Sequence, residues 1–471
     1  MNEGNWTSRL ALRCCDWSER WFPDAYIFAV LAVLLVALAT MFAGATPGAT
    51  AKAFGDGFWS LIPFTMQMCF VLIGGHVVAS SPPLAHLIER LARIPRSGRG
   101  AVGMVAVVGM MLSLIHWGLG LVVGGLLVRA LGRRTELAMD YRAASAAAYL
   151  GLGAVWAMGL SSSAAQLQAN PSSMSPELLA ITGVIPFGET IFLWQSMLLT
   201  AVVMVLSTLI AYYTAPDTAH ARTAPNLGID TQLNEYTLSA RTRPGEWLER
   251  SPVLNLALFA LGAGWLVREF ATKGFVGAIA SLNTYNFVFL MLGLLLQWRP
   301  RRFLDVVYAA VPSTAGILVQ YPLYAGLAGM LTGAKAADGA SVAQHLSHFF
   351  ASVATGDSFP LVIGSYSAVL GFFVPSGGGK WLIEAPYVMQ TANELKVHLG
   401  WAVQIYNAAE AIPNLINPLF MLPLLAIVGL KTRDIVGYTF LQFVVHLPVV
   451  LFLLWLLAQT LTYHAPVMPG H

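Results

Sequence analysis

The segment Val374-Pro-Ser-Gly-Gly-Gly-Lys-Trp381 separates two apolar runs, 359–373 and 382–389, each too short to cross a bilayer alone. Three consecutive glycines after a proline cannot continue a helix, so the chain must break there. Non-helical backbone at membrane depth is tolerated only where protein or a water-filled cavity supplies hydrogen-bond partners. Two half-helices that meet at such a break are typical of solute sites in secondary transporters. The alternative interpretation is a simple extracellular turn.

Composition places the whole chain in a membrane. Of its 471 residues, 57% are hydrophobic and only 10% are charged, whereas soluble domains are about 25% charged. The apolar stretches recur near the length of about 20 residues that a spanning helix needs, which predicts an all-α polytopic membrane protein. The net charge of +3 is spread over short loops, so we expect the lipid bilayer as a partner and no nucleic acid. No cofactor is expected, since Cys14, Cys15 and Cys69 lack metal-site spacing.

The basic residues predict an orientation. With a cytoplasmic N-terminus, all but six of the 26 Lys and Arg fall in cytoplasmic segments, as the positive-inside rule requires. Arginines flank the apolar segment 101–131 at both ends, so it must enter the membrane and return near His116-Trp-Gly-Leu-Gly120. The segment 346–395 has both ends outside and turns at Ser376-Gly-Gly-Gly379. Two re-entrant hairpins thus approach the midplane from opposite faces.

The two halves of the chain show weak internal similarity. Ile62-Pro-Phe-Thr65 and Val311-Pro-Ser-Thr314 each open a span, and each hairpin is followed by a span broken by small or helix-breaking residues. Opposite orientation of the matched spans predicts two inverted-topology repeats. The expected division is an amphipathic segment 1–24, a first transmembrane half 25–213, a cytoplasmic linker 214–251 and a second half 252–471.

The hairpin tips and the broken spans supply the candidate substrate site. Backbone N–H groups freed at a half-helix N-terminus, helped by serine hydroxyls, can hold a carboxylate without a full countercharge. The alternative for the serines is helix packing or bonding to their own backbone. The candidate substrate-binding residues are His116, Trp117, Gly118, Gly120, Ser161, Ser162, Ser163, Pro375, Ser376, Gly377, Gly378, Gly379 and Lys380.

Ionisable residues inside a membrane are costly and usually functional. Lys380 could attract an anion or could pair with Glu384 at i,i+4. Glu410, in a span broken by Pro413, is the main candidate for a proton carrier or cation ligand. Freed carbonyls and asparagine oxygens beside it could form a Na⁺ site. Glu189 and His76 are further candidates; the alternatives are an interface position for Glu189, and for His76 and His116 a hydrogen bond to a carbonyl. The coupling-ion candidates are therefore Glu410, Asn414, Asn417, Glu189 and His76.

Several strings together resemble the bacterial short-chain fatty acid transporter family, which contains the acetoacetate and butyrate carriers. They are Gly55-Asp-Gly-Phe-Trp59, Phe64-Thr-Met-Gln-Met68, Gly74-Gly-His76 with Ser80-Ser-Pro82, His116-Trp-Gly-Leu-Gly120, Ser313-Thr-Ala-Gly-Ile-Leu-Val-Gln320 and Val374-Pro-Ser-Gly-Gly-Gly379 followed by Trp381. The resemblance covers nearly the whole chain. It implies a carrier of C4-type monocarboxylates in the bacterial cytoplasmic membrane, within an ion-transporter superfamily whose members have paired re-entrant hairpins.

The leading hypothesis is a secondary active transporter, not an enzyme, that takes up a short-chain monocarboxylate with H⁺ or Na⁺. A second copy of the chain is a candidate partner. The alternatives are a small-anion channel and an intramembrane serine hydrolase that uses Ser162 or Ser376 with His76 or His116. The sequence has neither a Gly-x-Ser-x-Gly elbow nor a His-Glu-x-x-His motif.

Overall fold

The protein is an all-α polytopic membrane protein, as the sequence predicts. The structure is a computed structural model that describes residues 25–231, 243–373 and 377–468. The helices of the first half are α1 (Ala25–Phe42), α2 (Pro47–Ser60), α3 (Ile62–Ala79), α4 (Pro82–Ala92), α5 (Gly98–Ile115), α6 (Trp117–Gly132), α7 (Tyr141–Leu150), α8 (Ser163–Ala169), α9 (Pro176–Thr182) and α10 (Trp194–Thr214). Those that follow are α11 (Glu246–Arg250), α12 (Val253–Ala280), α13 (Leu282–Gln297), α14 (Pro300–Ala310), α15 (Ala315–Gly333), α16 (Val342–Val353), α17 (Phe359–Phe373), α18 (Gly377–Glu394), α19 (Leu399–Asn414), α20 (Pro418–Val428) and α21 (Thr432–Ala458).

The surface of these helices suits lipid. Within the described residues, seven helical stretches are long and apolar enough to span a bilayer, counting Tyr141–Ala169 as one. Large apolar side chains such as Leu35, Leu261 and Val267 are exposed on their outer faces. Such a surface is unfavourable in water and is expected in hydrocarbon.

The first hairpin turns where the sequence predicts. α5 ends at Ile115, His116 has an extended backbone, and α6 starts at Trp117 and packs against α5. At the other end of α6, the Arg134 guanidinium donates to the carbonyls of Ala92 and Pro95, 2.8 and 3.0 Å away, just before α5 begins. Both ends of the hairpin therefore lie on one side of the molecule.

The second hairpin is shorter than its predicted range, 346–395. Its arms are α17 and α18, and a loop separates them from α16, which takes up the start of that range. The carbonyl of Leu395 lies 3.2 Å from where a Cβ on Gly356 would be, so the two outer ends meet. The predicted tip residues Pro375 and Ser376 lie outside the described residues.

Each hairpin is followed by a broken helix. After the first hairpin, α7 passes into a π-helical turn (Gly151–Val155) and a 3₁₀ turn (Trp156–Met158) before α8. After the second, α19 contains Pro413 and ends at Asn414, four residues before α20. Each half of the chain therefore contains a helical hairpin followed by a broken helix, as two structural repeats would. The inverted orientation of these repeats stays a prediction.

The domain limits also stay predictions. The predicted amphipathic segment 1–24 lies outside the described residues. In the predicted linker, the structure describes 214–231 and 243–251, which form a 3₁₀ turn at Pro225–Leu227 and the short helix α11. The C-terminal segment 459–468 continues past α21 without regular structure.

Candidate functional site

Lys380 is the centre of a buried charged cluster beside the second hairpin tip. Gly377, Gly378 and Gly379 form the first turn of α18, and Lys380 follows directly. Its ammonium nitrogen, Nζ, donates to the carbonyl and the hydroxyl oxygens of Ser367 in α17, 2.8 and 2.7 Å away. The lysine therefore joins the two arms of the hairpin below their tip.

Two carboxylates share this one ammonium. Lys380 Nζ lies 3.0 Å from Glu384 Oε1 and 2.9 Å from Glu410 Oε2, and all three side chains are 0% exposed. Ser367 also donates to Glu384, at 3.2 Å. Neither Glu410 side-chain oxygen has a hydrogen-bond donor among the residues that the structure describes. The contact between Lys380 and Glu410 is therefore an ion pair without regular hydrogen-bond geometry.

The charges of this cluster do not balance. With all three groups ionised, its net charge is −1 in a site removed from water. An uncompensated buried charge costs several kcal/mol, even when part of it is paired. One proton or one additional monovalent cation would neutralise the cluster.

One aromatic ring lies against the lysine. Lys380 Nζ lies 4.4 Å from the centroid of the Tyr406 ring, and the Trp381 ring packs against the same tyrosine. The Tyr406 hydroxyl donates to the carbonyl of Gly377. Tyr406 thus connects the charge of Lys380 to the backbone of the glycine turn.

The glycine turn is closely packed. A Cβ on Gly377 would lie 2.4 Å from the Trp156 ring, and one on Gly378 would lie 2.6 Å from the Tyr321 hydroxyl and 3.2 Å from Ser163 Cβ. Only glycine fits at these two positions in this conformation. The close approach brings the turn of the second half against the broken span of the first half.

Polar side chains join the two broken spans. Ser162 Oγ donates to Asn407 Oδ1 at 3.0 Å and accepts the N–H of Ala165 at 3.2 Å, so it also caps α8. The Asn414 amide, in the orientation that its neighbours favour, accepts from Trp156 Nε1 at 3.1 Å. Ser162 and Asn414 are both fully buried. The predicted residues Ser162, Ser163, Gly377, Gly378, Lys380, Glu410 and Asn414 therefore lie in one region.

The first hairpin tip is built differently. The Trp117 N–H donates to Ser161 Oγ at 3.1 Å, and Leu119 N–H donates to His116 Nδ1 at 3.4 Å. A Cβ on Gly120 would lie 2.7 Å from Ser113 N, and one on Gly118 would meet only the His116 ring, at 3.5 Å. These contacts shape the tip itself, and His116 Nε2 and Ser113 Oγ lie buried there without a hydrogen-bond partner among the described residues.

Three predicted coupling residues are placed elsewhere. Glu189 pairs with His464 at 3.0 Å in a partly exposed position. Asn417 donates to the carbonyl of Phe372 at 3.4 Å, at the end of α17. His76 is half-buried in α3, next to Gly75, where an added Cβ would collide with the His116 ring. Of the predicted coupling residues, Glu410 is a member of the cluster, and Asn414 lies one helical turn after it.

Sequence reasoning missed Ser367, Tyr406 and Tyr321. Tyr406 had a signal, because it precedes Glu410 by four residues and so shares its helix face. No sequence signal pointed to Ser367 or Tyr321. Ser367 reaches the site because the hairpin folds α17 against α18, and Tyr321 reaches it because α15 packs against α18.

A cavity of about 490 Å³ adjoins the same hairpin. Leu382 and Pro386 of α18 line one side of it, and Ser60, Leu61 and Gly329 line the other. The cavity touches α18 within two helical turns of Lys380, and it is larger than a four-carbon acid.

The family model for short-chain fatty acid transporters matches residues 6–457. The chain belongs to this family. A relative from Escherichia coli (strain K12), named "Putative short-chain fatty acid transporter", is 36% identical over 422 residues, which are 89% of this chain and 93% of the relative. A relative of the same name from Haemophilus influenzae is 31% identical over 92% of this chain and 95% of its own length.

Two solved transporters share the fold of this family member. The crystal structure of the Alcanivorax borkumensis YdaH transporter, described as having an unusual topology, has a TM-score of 0.59 and 17% identity over 93% of this chain and 98% of that one. Neisseria gonorrhoeae MtrF is described in connection with a class of antimetabolite efflux pumps. It has a TM-score of 0.56 and 14% identity over 98% of this chain and 99% of that one. At these identities the likeness concerns the fold.

Proposed function

We propose that this protein is a symporter that takes up short-chain fatty acids such as butyrate or acetoacetate across the bacterial cytoplasmic membrane. The driving ion is H⁺ or Na⁺. The observation that supports coupling is the buried cluster in which one lysine faces two carboxylates. The N-terminus is cytoplasmic in this proposal, in line with the distribution of basic residues.

The charge of the cluster explains why an anion needs a co-transported cation. A fatty acid carboxylate that enters beside a buried cluster of net charge −1 would add a second uncompensated negative charge. If a proton binds Glu410, or Na⁺ binds beside it, the cluster becomes neutral and Lys380 can face the substrate carboxylate. Substrate and cation therefore stabilise each other in the site, which is the requirement for symport.

The glycine turn supplies the second half of the anion site. The N-terminus of α18 carries the positive end of its helix dipole, and Gly377 and Gly378 allow close approach to its backbone N–H groups. The hydroxyls of Ser162 and Ser163 lie on the facing broken span. The aromatic rings of Trp156, Tyr321 and Tyr406 offer an apolar wall for a short alkyl chain.

The alternatives have weaker support. A serine hydrolase needs a histidine in hydrogen-bond reach of its nucleophile, whereas Ser162 bonds to Asn407, and His116 caps its own hairpin tip. A channel needs a continuous pore, whereas Gly378 is packed between Tyr321 and Ser163. A homodimer is compatible with the exposed apolar faces but is not needed for the site.

Counterflow in reconstituted vesicles tests the proposal. Vesicles loaded with unlabelled butyrate should transiently accumulate labelled butyrate, because a carrier exchanges its substrate. In unloaded vesicles, a pH gradient or a Na⁺ gradient, imposed separately, should drive accumulation. Uptake without counterflow that simply follows the membrane potential would indicate a channel and would overturn the proposal.

A further inference from the structure

Three metal-ligating side chains from distant parts of the chain meet away from the charged cluster. Glu189 ends the 3₁₀ turn Phe187–Glu189, His398 is the N-cap residue of α19, and His464 lies in the C-terminal segment. One donor atom from each side chain lies within 4.8 Å of those of the other two. The two imidazole rings stand edge to face, with centroids 5.1 Å apart.

Other contacts hold these three segments in place. The Val184 N–H donates to the carbonyl of Val467 at 2.8 Å, and the Tyr463 hydroxyl donates to Asn393 Oδ1 at 3.1 Å. Gln195 donates to the Thr460 hydroxyl at 2.9 Å. The C-terminal segment is therefore fixed on both sides of His464, so its imidazole is positioned without help from a bound ion.

The donor set suits a borderline-soft divalent ion. Two imidazole nitrogens and one carboxylate oxygen are the ligands that Zn²⁺ accepts with a water in its fourth position. Ligation needs a neutral imidazole. The carboxylate of Glu189 would offset part of the charge of the ion.

We propose that Glu189, His398 and His464 form a binding site for a divalent transition-metal ion, with Zn²⁺ as the best match. The bound ion would join the C-terminal segment to the 3₁₀ turn that contains Glu189 and to the start of α19. With a cytoplasmic N-terminus this face is the periplasmic one, so the ion would come from outside the cell. The proposal does not depend on transport activity.

The ion must displace two hydrogen bonds. His464 Nε2 contacts Glu189 Oε2 at 3.0 Å, and His398 Nδ1 accepts the N–H of Trp401 at 3.1 Å. In that state the proton of a neutral His398 is on Nε2. The ion either takes the place of the Trp401 N–H at Nδ1 or binds Nε2 while the ring proton moves to Nδ1, and the hydrogen bond from Trp401 is lost in both cases. We therefore expect a weaker affinity than that of a fully preformed zinc site.

Calorimetry with Zn²⁺ on the purified, metal-free, full-length protein in detergent tests the site. We expect one saturable ion per chain. The His464→Gln and Glu189→Gln variants should each lower the Zn²⁺ affinity about 10-fold or more. The matched control is His220→Gln, which removes another exposed histidine that pairs with a carboxylate, Asp217, and it should bind Zn²⁺ as the wild type does.

Co²⁺ absorption provides a second readout. Substituted Co²⁺ should give visible bands of a low-coordinate nitrogen and oxygen site in the wild type, and His464→Gln should abolish them. The His464 side chain is 43% exposed and its pair with Glu189 is partly solvated, so its replacement should change thermal unfolding without metal very little. Absence of saturable Zn²⁺ binding, or equal binding in all variants, would overturn the proposal. It would show that Glu189, His398 and His464 only form hydrogen bonds that connect their segments.

Discussion

The two helical hairpins differ in the chemistry that surrounds their tips. At the first tip, Ser161 and His116 accept the N–H groups of Trp117 and Leu119. At the second, the glycine turn packs against residues of the first half, and the nearest ionic group is Lys380 with its two carboxylates. The first tip is held together by hydrogen bonds to its own neighbours, whereas the buried charges near the second tip do not balance, and a proton or ion can correct this imbalance.

This difference assigns different roles to the two halves. A tip shaped by hydrogen bonds to its own neighbours mainly stabilises one conformation. A buried cluster with an uncompensated charge gains stability when a cation binds, so its occupancy depends on the ion gradients across the membrane. We therefore expect substitutions at the second tip to affect transport and those at the first to affect mainly stability.

Removal of the lysine should have the largest effect. Lys380→Met leaves Glu384 and Glu410 buried without a countercharge, which costs about 3–5 kcal/mol when one partner of a buried pair is lost. We expect uptake of labelled butyrate in vesicles to be abolished and the thermal unfolding temperature to fall.

The control for Lys380 is Lys273→Met. Lys273 makes an i,i+4 pair with Glu269, and its side chain is 49% exposed. Pairs of this kind at the surface contribute about 0–1 kcal/mol. This variant should transport normally. If Lys380→Met also transported normally, the cluster could not be part of the transport cycle.

Glycine substitutions compare the two tips directly. Gly378→Val places a Cβ 2.6 Å from the Tyr321 hydroxyl, so it should abolish uptake while the protein still inserts into the membrane. Gly118→Ala meets only the His116 ring at 3.5 Å, an ordinary contact, and should keep most of the uptake rate. Equal loss in both variants would remove the functional distinction between the tips. Initial rates at matched protein levels provide the measurement.

Serine substitutions should have the smallest effect. Ser162→Ala removes one hydrogen bond to Asn407 and the cap of α8, a loss of about 1 kcal/mol. We expect an increase in KM for butyrate of about 5-fold. Ser161→Ala, at the first tip, should lower the unfolding temperature and leave KM unchanged. If Ser161→Ala raised KM more than Ser162→Ala does, the first tip and not the second would contact the substrate.

The overall class and the hairpins could be predicted because membrane insertion restricts the backbone. Apolar stretches in a membrane must be helical, and the glycine run and the residues around His116 interrupt them. Arginines at both ends of 101–131 place both ends on the same side of the membrane, so this segment must turn back within it. The extent of 346–395 was predicted less well, because α16 is also apolar and was joined to the hairpin. The sequence Gly356-Asp-Ser358 before α17, with Pro360 at its second position, is a loop and helix-start signal that would have separated the two helices.

The candidate site was predictable only in part. Lys380, Glu384 and Glu410 attracted attention because ionisable residues in a membrane are costly, and the i,i+4 pairing of Lys380 with Glu384 follows from helix spacing. That Glu410 shares the same ammonium could not be predicted, because it depends on how α19 packs against α17 and α18. Glu189 is ionisable as well, but it lies outside the cluster and pairs with His464.

Glu410→Gln tests the central claim most directly, because it removes one carboxylate and nearly preserves the shape of the side chain. In this variant the positive charge of Lys380 and the negative charge of Glu384 balance without a bound cation. We predict that it exchanges labelled for unlabelled butyrate in counterflow but no longer accumulates butyrate against its gradient when a pH or Na⁺ gradient is imposed. Accumulation equal to that of the wild type under either gradient would contradict the account, because coupling would then not depend on Glu410.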